Sequence, residues 1–270
     1  MLRLLAILCA ALALMLLAVW SLQRRFLYFP ERSDRATSER RARALGLEPW
    51  VGDGGTLLGW RARNPAGARG KLLVLHGNAG SALDRAYFVT ALASAAPELP
   101  LDVFLAEYPG YGPREGEPTQ PALLAAARSA IAAARGAGPG PLLVAGESIG
   151  SGVAALAAAE APAEVEGLLL VTPLASVPAV ARRHYPFVPA FVHRDSWRAD
   201  RALPRYGGPV AFVVAGRDEV VFADLGRALF AAYPGPKRLW VEEGATHNGL
   251  DWRPGLPRWR EIVEFLAARR

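Results

Sequence analysis

The sequence predicts an α/β protein in which a mainly parallel sheet is flanked by helices and preceded by one membrane-spanning helix. Beyond residue 48, short runs rich in Leu and Val alternate with Ala-rich stretches, which is typical of a parallel sheet covered by helices. The runs lack polar alternation at 72–75, 142–145, 168–171 and 211–214, so these strands are expected to be buried on both faces. A third observation is the apolar N-terminus.

The composition limits the class of protein. The chain has 270 residues, 52% of them apolar, and a formal charge of +6, which excludes a disordered or collagen-like chain. Cys9 is the only cysteine, so an intramolecular disulfide is impossible. The length suits one α/β domain with an appendage. We expect an anchor at 1–23, a basic juxtamembrane linker at 24–47 and an α/β domain at 48–270.

The N-terminal segment is long enough to cross a membrane. The 20 residues from Leu4 to Gln23 carry no charge, and a helix of this length measures about 30 Å, the thickness of the hydrocarbon core. We expect a single-pass anchor, with a cleavable signal peptide as the alternative; Trp20 suits a cleavage junction poorly. Which side of the membrane holds the domain stays open.

The positive charge is concentrated next to this segment. Seven arginines against three acidic residues lie within 24–43, whereas the remainder of the chain is nearly neutral. These arginines are expected either to meet anionic lipid head groups or to form a solvated, partly helical linker. Because the large domain shows no basic stripe, no nucleic-acid partner is expected.

Strands and helices are predicted in alternation. The predicted strands are 50–52 with 56–63, 71–76, 101–107, 141–146, 166–171, 209–215 and 238–242, and the predicted helices are 82–95, 121–135, 150–159, 224–232 and 259–268. A Pro- and aromatic-rich stretch at 174–208 breaks this alternation. It is expected to be an insertion that caps the sheet.

A candidate nucleophile follows one buried strand. Gly146-Glu-Ser-Ile-Gly150 lies between the strand predicted at 141–146 and an Ala-rich helix, which is the context of a G-x-S-x-G nucleophile elbow. Glycines flank the serine because side chains there would collide with the strand or the helix. We therefore expect Ser148 to project its hydroxyl above the carboxyl edge of the sheet.

A serine nucleophile needs a base, and the base needs an acid to orient it. His247 follows the last predicted strand, and Asp218 follows the strand predicted at 209–215, so both side chains should emerge at the same edge. The order Ser148, Asp218, His247 is the order of an α/β-hydrolase. Oxyanion donors are expected from the backbone N–H groups of Ile149 and Asn78.

These motifs together resemble membrane-anchored members of the α/β-hydrolase superfamily, in the branch related to dienelactone hydrolases and serine-aminopeptidase-like hydrolases. The resemblance spans nearly the whole chain and rests on Phe26-Leu-Tyr-Phe-Pro30, His76-Gly-Asn-Ala-Gly80, Glu107-Tyr-Pro-Gly-Tyr-Gly112, Gly146-Glu-Ser-Ile-Gly150, Ala215-Gly-Arg-Asp-Glu-Val220 and Gly244-Ala-Thr-His-Asn248. It implies an eight-stranded, mostly parallel sheet. It also implies hydrolysis of esters, thioesters or amides through an acyl-enzyme, with no metal or organic cofactor; some relatives remove fatty acyl groups from proteins.

The substrate is less constrained than the chemistry. Tyr108, Tyr111, Tyr185 and Phe187 are candidates to line an apolar acyl pocket, although the aromatics of the insertion are equally suited to packing. The expected substrate is a small-molecule or lipid-like acyl compound or an acylated protein. Glu147 stands where relatives often carry Arg or Tyr, which leaves the charge of the pocket open, as it does the natural acyl donor and the oligomeric state.

Two other functions stay in view. One is a catalytically silent, membrane-tethered binding protein on the same fold. The other is a short-chain dehydrogenase, for which Tyr233 and Lys237 supply the residue types of a Tyr-x-x-x-Lys motif. Pro234 and Pro236 lie between them and would break the helix that this motif requires.

Overall fold

The computed structural model describes residues 1–64 and 67–268. Its centre is an eight-stranded sheet with the order β1-β2-β4-β3-β5-β6-β7-β8. The pairs β1–β2 and β2–β4 are antiparallel, and all other neighbours are parallel. The strands are β1 Glu48–Val51, β2 Leu57–Ala62, β3 Gly70–Leu75, β4 Leu101–Ala106, β5 Leu142–Glu147, β6 Gly167–Val171, β7 Val210–Ala215 and β8 Lys237–Glu242. The α/β fold predicted from the alternation is confirmed.

Helices cover both faces of the sheet. They are α1 Leu2–Leu27, α2 Arg35–Ala44, α3 Tyr87–Leu92, α4 Gln120–Gly136, α5 Ile149–Glu160, α6 Val177–His184, α7 Ala199–Ala202, α8 Ala223–Ala232 and α9 Pro257–Ala267. The β3, β6 and β7 strands are buried along their whole length, as expected for strands with apolar residues on both faces.

The helix predicted at 82–95 is interrupted. Residues Ala82–Arg85 form a 3₁₀ turn, and α3 begins only at Tyr87. The Asp84 carboxylate accepts from the Ser81 backbone N–H at 2.6 Å, and the buried Glu107 carboxylate accepts from the Ala82 N–H at 3.0 Å. These carboxylates accept hydrogen bonds from the N–H groups at the start of the 3₁₀ turn. The apolar pattern of the sequence does not reveal this interaction.

The helix α1 is longer than the predicted anchor. It runs from Leu2 to Leu27 without a buried residue, and its length and composition are sufficient to cross a membrane. The same features are compatible with a signal sequence.

Residues 28–47, expected within a linker, pack on the domain. Tyr28, Ala42 and Leu47 are buried. The backbone of Pro30 pairs with that of Gly80, and Asp34 caps α2 by accepting from the Thr37 N–H at 2.9 Å. The segment therefore extends the domain instead of forming a free tether.

The insertion 174–208 lies above the sheet edge and includes α6 and α7. Ser176 begins α6 by accepting a hydrogen bond from the Ala179 N–H. Trp197 is fully buried, whereas Phe187 and Phe191 are 92% and 82% exposed. We call residues 174–208 the cap.

Candidate active site

Ser148 lies in a strained turn between β5 and α5. Its φ is +53°, a left-handed conformation that is uncommon for a residue with a side chain. A Cβ on Gly146 would collide with the backbone of Gly150, and a Cβ on Gly150 would collide with the carbonyl oxygens of Leu75 and His76. The two glycines therefore permit a turn that presents the serine hydroxyl at the carboxyl edge of the sheet.

His247 reaches this hydroxyl from the loop after β8, and Asp218 reaches His247 from the loop after β7. The His247 Nε2 atom lies 3.0 Å from the Ser148 Oγ atom, and its Nδ1 atom lies 2.8 Å from the Asp218 Oδ2 atom. A carboxylate at Nδ1 favours the tautomer with a proton there, so Nε2 is left to accept from the hydroxyl. The structure thus brings together the three side chains that the sequence singled out.

The position of Asp218 is fixed by its own loop. Its Oδ1 atom accepts from the backbone N–H groups of Val220 and Val221, both at 2.9 Å. Burial raises the pKa of this carboxyl, but the hydrogen bond and charge of His247, together with the two N–H groups, outweigh burial and leave the pKa below its usual range. Asp218 is therefore an anion at neutral pH.

Asn78 and Ile149 border the same space as Ser148. Ile149 is the first residue of α5, and N–H groups of a first helical turn have no acceptor within the helix. The Asn78 side chain is held by three donors, since its Oδ1 atom accepts from the N–H groups of Phe29 and Ala79 and from the Tyr111 hydroxyl at 2.8, 2.9 and 3.2 Å. The loop after β3 is thus fixed beside the serine.

An ion pair between Arg85 and Glu147 supports this loop, and the sequence did not predict it. The Arg85 Nε atom donates to the Glu147 carboxylate at 2.7 Å, and the Tyr87 hydroxyl donates to the same group at 2.7 Å. Arg85 also donates to the carbonyl oxygens of Ala79 and Asn78 at 3.2 and 3.4 Å. The Glu147 carboxylate is therefore paired with Arg85 and Tyr87. Its partner lies 62 residues away in sequence, and no local motif connects them.

A cavity of about 680 Å³ opens from Ser148. Its walls come from three parts of the chain, namely the loops at the sheet edge, the cap and α1. The lining is mostly apolar and includes Met15, Ala18, Val19, Leu22, Phe26, Leu174, Val177, Val180, Ala181, Tyr185 and Val188. An apolar cavity that reaches a polar cluster is the usual form of a small-molecule site.

The aromatic residues expected in the pocket are distributed differently. Tyr185 lines the cavity. Tyr108 and Tyr111 are each 1% exposed and pack against His76, with ring centroids 4.2 and 4.9 Å away; neither is among the described residues that line the cavity. Phe187 is 92% exposed and is not among the described residues that line the cavity. The turn after β4 directs both tyrosines into the core, a direction that residue type alone does not specify.

His76 directly follows β3 and is not among the described residues that line the cavity. It is 1% exposed and its Nδ1 atom lies 2.8 Å from the Gly77 carbonyl oxygen. The Tyr233–Lys237 pair does not form a dehydrogenase site. Lys237 begins β8, at the edge opposite Ser148, and its ammonium donates to the Tyr233 carbonyl oxygen at 2.6 Å.

The chain is similar to known proteins in both sequence and fold. Residues 72–266 match the model of the alpha/beta hydrolase family. The chain belongs to this family. An uncharacterized protein of Mycobacterium tuberculosis is 32% identical to this hydrolase over 255 residues, which is 92% of this chain and 88% of that protein. Alpha/beta hydrolase domain-containing protein 17C of Xenopus laevis is 29% identical over 247 residues, covering 88% of this chain and 75% of that protein.

Solved structures share the fold of this hydrolase. Est1E from Butyrivibrio proteoclasticus, with ferulic acid bound, has a TM-score of 0.63 at 19% identity and covers 82% of this chain and 100% of its own. A monoacylglycerol lipase of Paleococcus ferrophilus has a TM-score of 0.54 at 18% identity over 77% of this chain and 97% of its own. Membership in the family supports hydrolase activity.

Proposed function

We propose that this protein is a serine hydrolase that cleaves carboxylic esters or thioesters through an acyl-enzyme, with Ser148, His247 and Asp218 as its catalytic residues. The observation that carries the proposal is the continuous chain of contacts from the Ser148 hydroxyl to His247 and on to Asp218, at 3.0 and 2.8 Å. The positive φ of the serine and the adjoining cavity support it.

The first half-reaction would form the acyl-enzyme. The Ser148 oxygen attacks the acyl carbonyl carbon while His247 takes the hydroxyl proton at Nε2. The N–H groups of Asn78 and Ile149 donate to the oxyanion, and Asp218 stabilises the imidazolium. The tetrahedral intermediate then collapses, the bond to the leaving oxygen or sulfur breaks, and His247 gives its proton to that atom.

The second half-reaction would release the acid. His247, again neutral, takes a proton from water as the water oxygen attacks the acyl carbon. The bond to the Ser148 oxygen breaks, and the proton returns to that oxygen. The carboxylic acid leaves, and the enzyme regains its starting state.

We also propose that α1 is retained as a membrane anchor. The domain that follows it includes the cap at 174–208. Hydrogen bonds join the end of α1 to the cap, since the Gln23 side chain donates to the Val192 carbonyl oxygen at 2.9 Å and accepts from the Arg194 N–H at 2.8 Å. Cleavage after residue 23 would remove a wall of the cavity. These contacts favour retention over removal as a signal peptide.

The proposed chemistry is tested by replacing the nucleophile. Ser148→Ala should lower kcat for p-nitrophenyl octanoate by about 10⁴-fold or more, as removal of a triad member does, without changing the circular dichroism spectrum. Ser129→Ala, the same replacement at an exposed position of α4, should keep wild-type turnover. Ser148→Ala turnover near the wild-type rate would contradict the proposal and favour a silent binding protein.

A further inference from the structure

One face of α1 lines the cavity that opens from Ser148. The lining residues Met15, Ala18, Val19, Leu22 and Phe26 are separated by one, three or four positions. At 100° per residue, these five positions fall within an arc of about 100°, so their side chains share one face of the helix. At 1.5 Å per residue, the distance from Met15 to Phe26 is about 16 Å. The apolar wall is therefore long, narrow and continuous.

The opposite wall comes from the cap. The α6 residues Val177, Val180 and Ala181 face this space, followed by Val188. Ser148 and Ile149 line the same space. An elongated apolar substituent bound here would have its carbonyl at the serine and its hydrocarbon between α6 and α1.

Buried polar contacts hold α1 against the cap. The Arg24 guanidinium donates two hydrogen bonds to the Asp195 carboxylate, at 2.9 and 3.0 Å, and Asp195 is only 1% exposed. The Tyr28 hydroxyl donates to the same carboxylate at 3.1 Å and accepts from the Trp197 Nε1 atom at 3.0 Å. Such a shared network fixes the orientation of the helix end, and with it the face turned to the cavity.

The depth of the wall in a bilayer follows from its place in α1. The uncharged segment is Leu4–Gln23, so Met15–Gln23 belong to its second half and would lie at the level of one leaflet. Beside them the exposed Phe191 forms part of a 3₁₀ turn that packs against α1. The cavity would then adjoin lipid chains directly.

We propose that α1 is a wall of the acyl-binding site as well as an anchor, and that the site takes long hydrocarbon chains of bilayer-resident acyl substrates. This inference rests on the proposed serine-hydrolase function and specifies its substrate class. Val19 and Leu22 are the residues of α1 whose size would set the length of chain accepted.

The test uses the full-length protein in detergent micelles, with the p-nitrophenyl esters of acetate, octanoate and palmitate. Val19→Trp adds a bulky side chain on the cavity face, and Leu17→Trp adds the same side chain about 200° around the helix, at a position that is 56% exposed. Val19→Trp should lower kcat/KM for palmitate by about 10-fold or more. Val19→Trp should lower acetate hydrolysis by a much smaller factor, because a short acyl group makes few contacts with α1. Leu17→Trp should keep both the wild-type rate for acetate and the wild-type ratio of palmitate to acetate.

Leu22→Ala tests the same wall by making a lining side chain smaller, where Val19→Trp makes one larger. Loss of lining methyl groups should lower kcat/KM for palmitate by about 10-fold and that for acetate by much less, so the palmitate-to-acetate ratio should fall. A palmitate-to-acetate ratio that is the same in wild type, Val19→Trp and Leu22→Ala would overturn the role of α1 while leaving the serine chemistry intact. Acetate hydrolysis that survives in Ser148→Ala would instead show that the proposed function is wrong.

Discussion

The sheet edge and the cavity beside it depend on different kinds of interaction. At the edge, Ser148, His247 and Asp218 are joined by directional hydrogen bonds of 2.8–3.0 Å, and the turns that carry them follow buried strands. The cavity between α1 and the cap is lined mostly by apolar side chains, whose contacts with a bound chain would be non-directional. The first region is suited to one reaction, and the second to a range of chain lengths. On the proposed function, reaction and selectivity would therefore reside in separate parts of the chain.

This contrast predicts two classes of variant. Changes at the edge should lower turnover of every ester by a similar factor, because all acyl groups share one transition state. Changes in α1 or the cap should alter the ratio between long and short esters. A variant at the edge that alters mainly this ratio would show that the two regions are not separate.

Outside the proposed catalytic residues, the largest effect on kcat is expected from a substitution of Arg85. Arg85→Ala removes the donors to the Asn78 and Ala79 carbonyl oxygens and leaves the half-buried Glu147 without its cation. The loop after β3 carries Asn78, the proposed oxyanion donor. Displacement of such a donor by about 1 Å lowers the rate by a factor on the order of 10². We expect kcat to fall by about 10²-fold for acetate and octanoate alike, with KM nearly unchanged.

Arg41→Ala is the matched control for Arg85→Ala. Arg41 pairs with Asp84 on the same segment but is largely exposed, so its loss should leave kcat within about twofold of wild type. Steady-state kinetics on the two esters measure both variants. A rise in KM for Arg85→Ala at constant kcat would refute the positioning role.

A smaller effect concerns stability as a function of pH. The lowered pKa of Asp218 in the folded protein means that its ionised form stabilises the fold above the pKa of the unfolded chain, about 3.9. This stabilisation is lost as pH falls through the lower pKa of the folded state. Asp218→Asn has no such titration and should be less stable than wild type at pH 7 by about 1–3 kcal/mol.

Thermal unfolding of wild type and Asp218→Asn at pH 7, 5, 4 and 3 measures this difference. The gap in Tm should be constant from pH 7 to 5 and should narrow below pH 4. An equal gap at pH 7 and pH 3 would mean that the Asp218 carboxyl contributes no titrating stabilisation.

Sequence reasoning was most informative where function follows directly from chain order. Ser148, Asp218 and His247 each follow a strand, and the carboxyl ends of parallel strands share one edge, so their proximity was predictable. Tyr108 and Tyr111 also follow a strand, but their turn directs them into the core. The contribution of α1 to the cavity was not predicted, since it depends on contacts such as Arg24 with Asp195, 171 residues apart.

The most direct test of the central claim is covalent labelling of the full-length protein with a fluorophosphonate probe, followed by peptide mass spectrometry. The probe reacts with serines activated by a neighbouring base, so we predict one phosphonylated peptide, modified at Ser148. Prior acylation by a slowly hydrolysed ester should block the reaction. Absence of labelling at Ser148 in folded protein, or labelling at a different serine, would contradict the assignment of the nucleophile.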